Sequence, residues 1–378
     1  MQHRLIAALL ALTVLFSFGA CAPADTPAAA AGEGELTVTY FDVGQADAIL
    51  ISLPDGRFIQ IDGGNDGDGD ALVPALRERG VKTLNFVVGT HPHADHIGGL
   101  DELVEAFDVG KVYLPRTAAS DTPDTRTYEN LLETVRDKGL KISQAKAGTV
   151  LLDEPGLRLA CVAPAADGYD DLNDYSAVLR LTYGEHSFLF TGDAGEASEG
   201  EMLQSGQDLR ADVLKVGHHG SDTASTEAFL RAVKPEFAVI SCGEGNSYGH
   251  PHAQAVARLQ ATGAQILRTD LCGTVTARSD GKRLTMETAA GERHTASAQS
   301  AATAASNGGA ASSAAEAGLS ADAAQQSSSA QEKVYRTPSG ARYHRAGCSA
   351  LGDSAEALTI AEAKEAGLTP CQRCHPPE

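Results

Sequence analysis

Positive charge is scarce in this chain beside negative charge. Its 30 lysines and arginines face 50 aspartates and glutamates, leaving a formal net charge of -20 and a sequence pI near 4.9. Such a surface repels polyanions, which counts against broad nonspecific affinity for DNA. Long apolar runs are also scarce. Leu5 to Ala20 is apolar but falls short of the roughly 20 residues that a membrane-spanning helix needs. Seven cysteines in 378 residues are too few for a disulfide scaffold. Cys161 and Cys242 sit in apolar, strand-like runs and read as buried core thiols; export would permit a Cys242–Cys272 bridge without implying one. Thr295 to Ala330 lacks aromatic residues altogether. Ala, Ser, Gly and Gln dominate there, so it cannot bury a core and reads as a flexible linker spanning on the order of 35 Å root-mean-square.

The stretch that organises the rest is Thr90-His91-Pro92-His93-Ala94-Asp95-His96-Ile97-Gly98-Gly99. It follows a strand-like run, Leu84 to Val88, and precedes an amphipathic stretch, Leu100 to Phe107, that reads as a helix. Three imidazoles and a carboxylate are thereby packed into one tight loop. His91 and His93 stand two apart and can chelate one ion; Asp95 and His96 can hold a second. Borderline-soft nitrogen and oxygen ligands suit Zn²⁺ best, with Mn²⁺ or Fe as alternatives.

Strands recur on both sides of that loop. Leu36 to Phe41 alternates, Ala48 to Leu53 and Phe58 to Ile61 follow across Pro54-Asp55-Gly56, and Asp62-Gly63-Gly64 interrupts them. Asn65 to Asp70 is acidic and Gly-rich but fails the calcium-loop template, and Asp70 is expected to cap a helix from Ala71 to Arg79. Thr127 to Lys138 reads as a further helix. Strands are expected at Val112 to Leu114, Thr149 to Leu152, Leu157 to Val162, Ala177 to Tyr183, Ser187 to Phe190, Phe237 to Ile240, Ile266 to Thr269 and Gly273 to Thr276. Asp280-Gly281 supplies a hairpin turn.

The H-x-H-x-D-H turn followed by Gly-Gly resembles the signature of the metallo-β-lactamase superfamily. "FDVGQADAILI", "IQIDGG", "THPHADHIGG", "FLFTGDA", "LKVGHHGS" and "SYGHPH", in that order, are similar to the extracellular hydrolase domain of the ComEC family of competence proteins. That family usually reads GQGD where this chain has Gly44-Gln45-Ala46-Asp47. The resemblance implies an α/β fold, the αββα sandwich, over residues 35–290, with one or two ions at strand ends. It implies that His91, His93, Asp95 and His96 are metal ligands, that Asp193 bridges, and that one of His218 and His219 ligates while the other supports it or contacts the scissile phosphate. Asn173 stands where many relatives carry a third histidine; an amide oxygen is a weak ligand, so the first ion is expected to be loosely held. His250 is the expected donor to a leaving group or a developing oxyanion, with Asp95 and His219 beside it in the catalytic set. ComEC's channel-forming segments are absent, so no transport of DNA is implied.

Both ends carry separate signals. Phe18-Gly19-Ala20-Cys21 after an apolar stretch resembles a bacterial lipoprotein signal, which implies export, lipidation at Cys21 and a membrane-anchored cell-surface location. Residues 22–34 read as a tether and 291–332 as the linker. Residues 333–378 carry His344, Cys348, Cys371 and Cys374, four tetrahedral nitrogen and sulfur ligands for a structural Zn²⁺, and resemble small Ada-like modules. A disulfide between the C-x-x-C cysteines is the rival; His344 favours zinc. Together these features predict a surface-anchored metal-dependent hydrolase, a phosphodiesterase or nuclease acting on extracellular DNA. The alternatives are hydrolysis of a phosphocholine ester, a lactone or a β-lactam, or a non-catalytic DNA- or wall-binding lipoprotein.

Overall fold

The computed structural model describes residues 34–296, 333–336, 342–345, 356–366 and 368–370. Cys21 and the leader, the linker beyond residue 296, and Cys348, Cys371 and Cys374 lie outside the described residues.

Two sheets form the centre. In the first, β1 (Leu36–Tyr40), β2 (Ala48–Ser52), β3 (Phe58–Gly63), β4 (Thr83–Val88), β5 (Asp108–Leu114) and β6 (Ile142–Gln144) lie side by side in chain order. The second holds β7 (Val150–Glu154), β8 (Leu157–Ala163), β9 (Val178–Tyr183), β10 (His186–Phe190), β11 (Val213–Lys215), β12 (Phe237–Ile240) and β13 (Gln265–Arg268). The chain then returns to the first sheet, where β14 (Val275–Ser279) pairs with β1 and is followed by β15 (Leu284–Thr288) and β16 (Arg293–Thr295). β16 carries the sheet past residue 290, where composition had put the end of the domain.

Period-two alternation sorts the side chains between layers. Ile49 and Ile51 on β2 join Leu179, Leu181, Phe188 and Phe190 in a core between the sheets. The intervening Ala48 and Leu50 face the other way, packing with Leu72, Leu76, Leu103 and Leu131 of the helices α1 (Gly69–Glu78), α3 (Leu100–Ala106) and α4 (Arg126–Asp137); the four-residue α2 (Ala94–Ile97) precedes α3. On the second sheet Val178, Leu189 and Leu214 pack outward with Met202, Phe229 and Leu259 of α5 (Glu196–Gln204), α6 (Glu227–Val233) and α7 (Ala253–Ala261). A last short helix, α8 (Thr269–Cys272), follows β13. Helices thus cover both outer faces, giving the αββα sandwich.

The cap expected at Asp70 is corrected. Asp68 rather than Asp70 precedes α1, and its carboxylate accepts the Asn65 N–H at 2.7 Å; Asp70 sits in the first turn, where the helix dipole favours it. β6, too short to show alternation, was not foreseen. Cys242 and Cys272 are unbridged: the first donates to Asp270 Oδ1 and the second to the Arg268 carbonyl.

Of the C-terminal module, a two-stranded pairing of Lys333–Arg336 with Glu356–Thr359 and a helix at Ile360–Glu365 are described. Val334, Tyr343, Ile360 and Ala363 form its small apolar cluster. No helix among the described residues is long and apolar enough to cross a membrane.

Candidate metal centre

β3 to β6 run parallel, as do β10 to β13, and the chemistry gathers at their carboxyl ends. β4 runs out into the turn bearing His91, His93, Asp95 and His96. That turn is held by Asp62 at the end of β3. The Thr90 N–H donates to Asp62 Oδ1 at 2.7 Å and the Thr90 hydroxyl to Oδ2 at 2.7 Å. Gly98 lets the turn lie against the Asn65–Asp66 backbone, where any Cβ would collide with it.

Asp62 also decides what His96 presents. His96 Nδ1 lies 2.9 Å from Asp62 Oδ2, so the proton sits on Nδ1 and the Nε2 lone pair is left for a cation. On the facing sheet β11 ends at Lys215, and His218 and His219 follow with φ of 50° and 52°. Two consecutive left-handed residues without glycine are costly, on the order of 1–3 kcal/mol each. This conformation lets both neighbouring rings approach the site. His219 Nδ1 lies 3.0 Å from the Ser241 carbonyl, which can only accept, so here too Nε2 carries the lone pair.

Asp193 follows β10 through Thr191 and Gly192. Gly192 has φ +51°, and a Cβ there would stand 2.9 Å from Thr90 Cβ, so the close approach requires glycine. Asp193 Oδ1 is 3.2 Å from His96 Nε2 and 3.7 Å from His219 Nε2; Asp95 Oδ2 is 3.2 Å from His219 Nε2. Asp95, His96, Asp193 and His219 thus bring four ligand atoms together within 4.8 Å. His96 Nε2, His219 Nε2 and Asp193 Oδ1 are buried without a hydrogen-bond partner, as lone pairs awaiting a cation would be. The donor set fits a divalent metal ion.

The second oxygen of Asp193 faces a different group. Oδ2 lies 3.9 Å from His91 Nε2 and 3.8 Å from His218 Nε2, and His91 Nε2 is 3.0 Å from His93 Nδ1. His218, its Nδ1 3.1 Å from the Thr223 hydroxyl, belongs to this side, and His219 to the first. Asn173 Oδ1 is buried and unpaired beside the same cavity.

Charge follows the geometry. Burial disfavours ionised Asp193, but the positive charge that the surrounding carboxylates draw onto His96 and His219 outweighs it and holds the carboxyl well below the usual range; a cation on the two Nε2 atoms would supply the same charge. Burial likewise opposes ionised Asp95, and His96 with His219 reverses the effect. His91, buried and next to His96, is pushed well down and stays neutral.

Beneath His219 is an ion pair absent from the sequence-based site. Lys215 Nζ lies 2.7 Å from Asp47 Oδ2, both fully buried, and Asp47 Oδ1 is 3.5 Å from His219 Nδ1. The Asp47 N–H donates to the Asp95 carbonyl at 3.0 Å, tying the β1–β2 loop to the histidine turn. A lysine inside an apolar strand was the available signal for this pair. An aspartate closing the run Phe58 to Ile61 was the signal for Asp62.

His250 lines a cavity of about 500 Å³ together with His93, Asp95, Asn173, Asp193 and His218. Burial first, then His218, His252 and His219, push its pKa down to about 3. It is therefore a neutral imidazole near pH 7, which favours the oxyanion-steadying role over that of a cationic acid. His344 is buried in the C-terminal module and exchanges backbone hydrogen bonds with Tyr335; its three expected cysteine partners lie outside the described residues.

The chain is similar to several known proteins. The chain is 32% identical over 260 residues to ComE operon protein 3 of Bacillus subtilis, covering 64% of this chain and 33% of that protein. It is 31% identical over 244 residues to competence protein ComA of Neisseria gonorrhoeae, covering 64% and 32%. The chain thus spans about a third of the length of these relatives. Among solved structures, the metallo hydrolase Igni18 of Ignicoccus hospitalis is similar at 19% identity and a TM-score of 0.42, covering 64% of this chain and 98% of that one. The family model described as the metallo-beta-lactamase superfamily matches residues 41–244. That span runs from the end of β1 past β12 and takes in Asp95, His96, Asp193 and His219, and the chain belongs to the metallo-beta-lactamase superfamily.

Proposed function

We propose that this metallo-hydrolase is an exported phosphodiesterase that cleaves extracellular DNA. One observation carries the reading: the ligand atoms of Asp95, His96, Asp193 and His219 converge within 4.8 Å, those of the last three buried and unpaired, beside an open cavity that Asp95, Asp193 and His219 line. The competence proteins among its relatives support a nucleic-acid substrate.

Asp95, His96, Asp193 and His219 would hold one Zn²⁺ or Mn²⁺. His91 and His93, with the other oxygen of Asp193, would hold a second. When bound, such ions supply a water of lowered pKa and polarise a phosphoryl oxygen. The remaining work belongs to the chain. Asp95 orients the attacking water by accepting its hydrogen bond, and His250 donates to the oxygen on which charge develops. With so acidic a surface, attraction to the substrate is local to this centre. Cys21 would carry a lipid anchor to the membrane, and His344, Cys348, Cys371 and Cys374 would staple the C-terminal module with Zn²⁺.

The soluble form from Ala22 onward should hydrolyse both DNA and bis-p-nitrophenyl phosphate when supplied with Zn²⁺ or Mn²⁺, and lose the activity in chelator. Metal content above the single ion of the C-terminal module is expected. A protein that holds only that ion and cleaves neither substrate would sink the reading.

A further inference from the structure

His250 can serve as a donor only if the proton rides on the ring nitrogen that faces the substrate. A neutral imidazole has one proton and two places for it, so something must choose. The choice is made from the opposite sheet, by a residue 205 positions earlier in the chain.

Gln45 lies in the loop between β1 and β2. The Gly243 N–H donates to Gln45 Oε1 at 3.1 Å. A backbone N–H can only donate, so the amide orientation is settled: oxygen toward Gly243, NH₂ on the other side. That NH₂ lies 3.3 Å from His250 Nδ1. It too can only donate, so Nδ1 must accept and the proton must reside on Nε2. We propose that Gln45 is a positioning residue that fixes His250 as the Nε2–H tautomer, making the imidazole a hydrogen-bond donor to the scissile ester.

Independent features hold the two partners in place. Gly243 approaches the Gln45 loop so closely that a Cβ would stand 2.8 Å from Gln45 N and 3.1 Å from the Gly44 carbonyl carbon. Asn246 clamps the backbone of His250, accepting its N–H at 3.0 Å and donating to its carbonyl at 2.6 Å. Tyr248 stacks on the ring at 5.7 Å between centroids. His218 and His219 from the turn after β11, His252 from the same loop and Asp193 from the end of β10 are the ionisable groups acting on it. A nitrogen lone pair aimed at a developing oxyanion would repel it, whereas an N–H attracts it.

The proposal rests on the hydrolase reading for its catalytic meaning, but the tautomer can be measured without any activity. In the full-length zinc-loaded protein, ¹⁵N NMR should show His250 protonated at Nε2 and bare at Nδ1 at pH 7. Gln45→Glu keeps the bond from Gly243 but turns a donor into an acceptor. It should move the proton to Nδ1 and raise the pKa of His250. Hydrolysis of bis-p-nitrophenyl phosphate should then fall roughly 10–100-fold in kcat above that pKa, with KM little changed. Activity should recover in acid, where the imidazolium again carries an Nε2–H. Gln45→Met, which has no carboxylate to raise the His250 pKa, should lose activity by a smaller factor and recover only at more acid pH than Gln45→Glu. His250 protonated at Nδ1 in the wild type, or a Gln45→Glu pH profile parallel to the wild type's, would overturn the proposal. A wild type inert toward phosphodiesters would instead overturn the functional reading, and the NMR result would still decide the role of Gln45.

Discussion

The two oxygens of Asp193 look onto unequal halves of one site. On the Oδ1 side two imidazoles have their tautomers set by acceptor-only partners, Asp62 for His96 and the Ser241 carbonyl for His219, and Asp95 adds a second carboxylate. On the Oδ2 side stand His91, His93 and His218, with Asn173 as the nearby oxygen donor. His96 is fully buried, whereas the side chain of His218 is 25% exposed. A cation seat is strong when its lone pairs are already aimed and its carboxylates already desolvated. One ion should therefore bind tightly and the other only weakly.

The largest way to break this contrast is to remove what both halves share. Asp193→Asn keeps the shape and deletes the bridging charge, so hydrolysis should fall by at least about 10³-fold and metal should be lost from both seats, read by kinetics and elemental analysis. Retention of wild-type rate and metal would refute the shared role.

Support beneath the tight half comes next. Lys215→Met leaves the Asp47 carboxylate buried without its partner, which should cost about 3–5 kcal/mol in denaturant unfolding. Asp47→Asn in the same background should restore part of it, since a neutral amide needs no counter-charge.

A control outside both halves follows. Burial raises the carboxyl of Glu199 to about 7, although it accepts the Ser225 and Thr226 N–H groups. Because the folded pKa lies above the unfolded one, this contribution to stability is complete below about pH 4.5 and is lost as pH rises through 7. Stability should therefore decline by up to about 3 kcal/mol across that window, and Glu199→Gln should flatten the decline. An unchanged slope in the variant would place the pH dependence in the metal site instead.

The smallest change sharpens the contrast. Asn173→His should add a further imidazole beside the loose half and raise affinity for the ion held by His91 and His93 by about tenfold, within the range by which neighbouring groups tune a metal site. Titration against a competing chelator measures it, and no change in the second affinity would show that Asn173 does not face that ion.

Much of the first half could be read directly. His91, His93, Asp95 and His96 fall within six residues, and a strand followed by Gly-Gly confines them to one turn whatever the rest of the chain does. Asp193 and the His218-His219 pair were legible as polar endings of apolar strands. Their division of labour was not, because two adjacent histidines look alike in sequence and part only when the left-handed turn brings their rings to different oxygens of Asp193. Asp62, Lys215 and Gln45 were visible as odd residues in their surroundings, but their partners come from distant strands and loops.

Period-two strands and apolar helix faces made the layered α/β sandwich legible before any folding, as did the ligand types of the site, because side-chain chemistry is carried by identity alone. Which nitrogen of His96, His219 and His250 carries the proton, and which oxygen of Asp193 each ring meets, is set by packing between the sheets. Those choices depend on donors and acceptors such as Asp62, the Ser241 carbonyl and Gln45, which reach the histidines only when the two sheets close on each other.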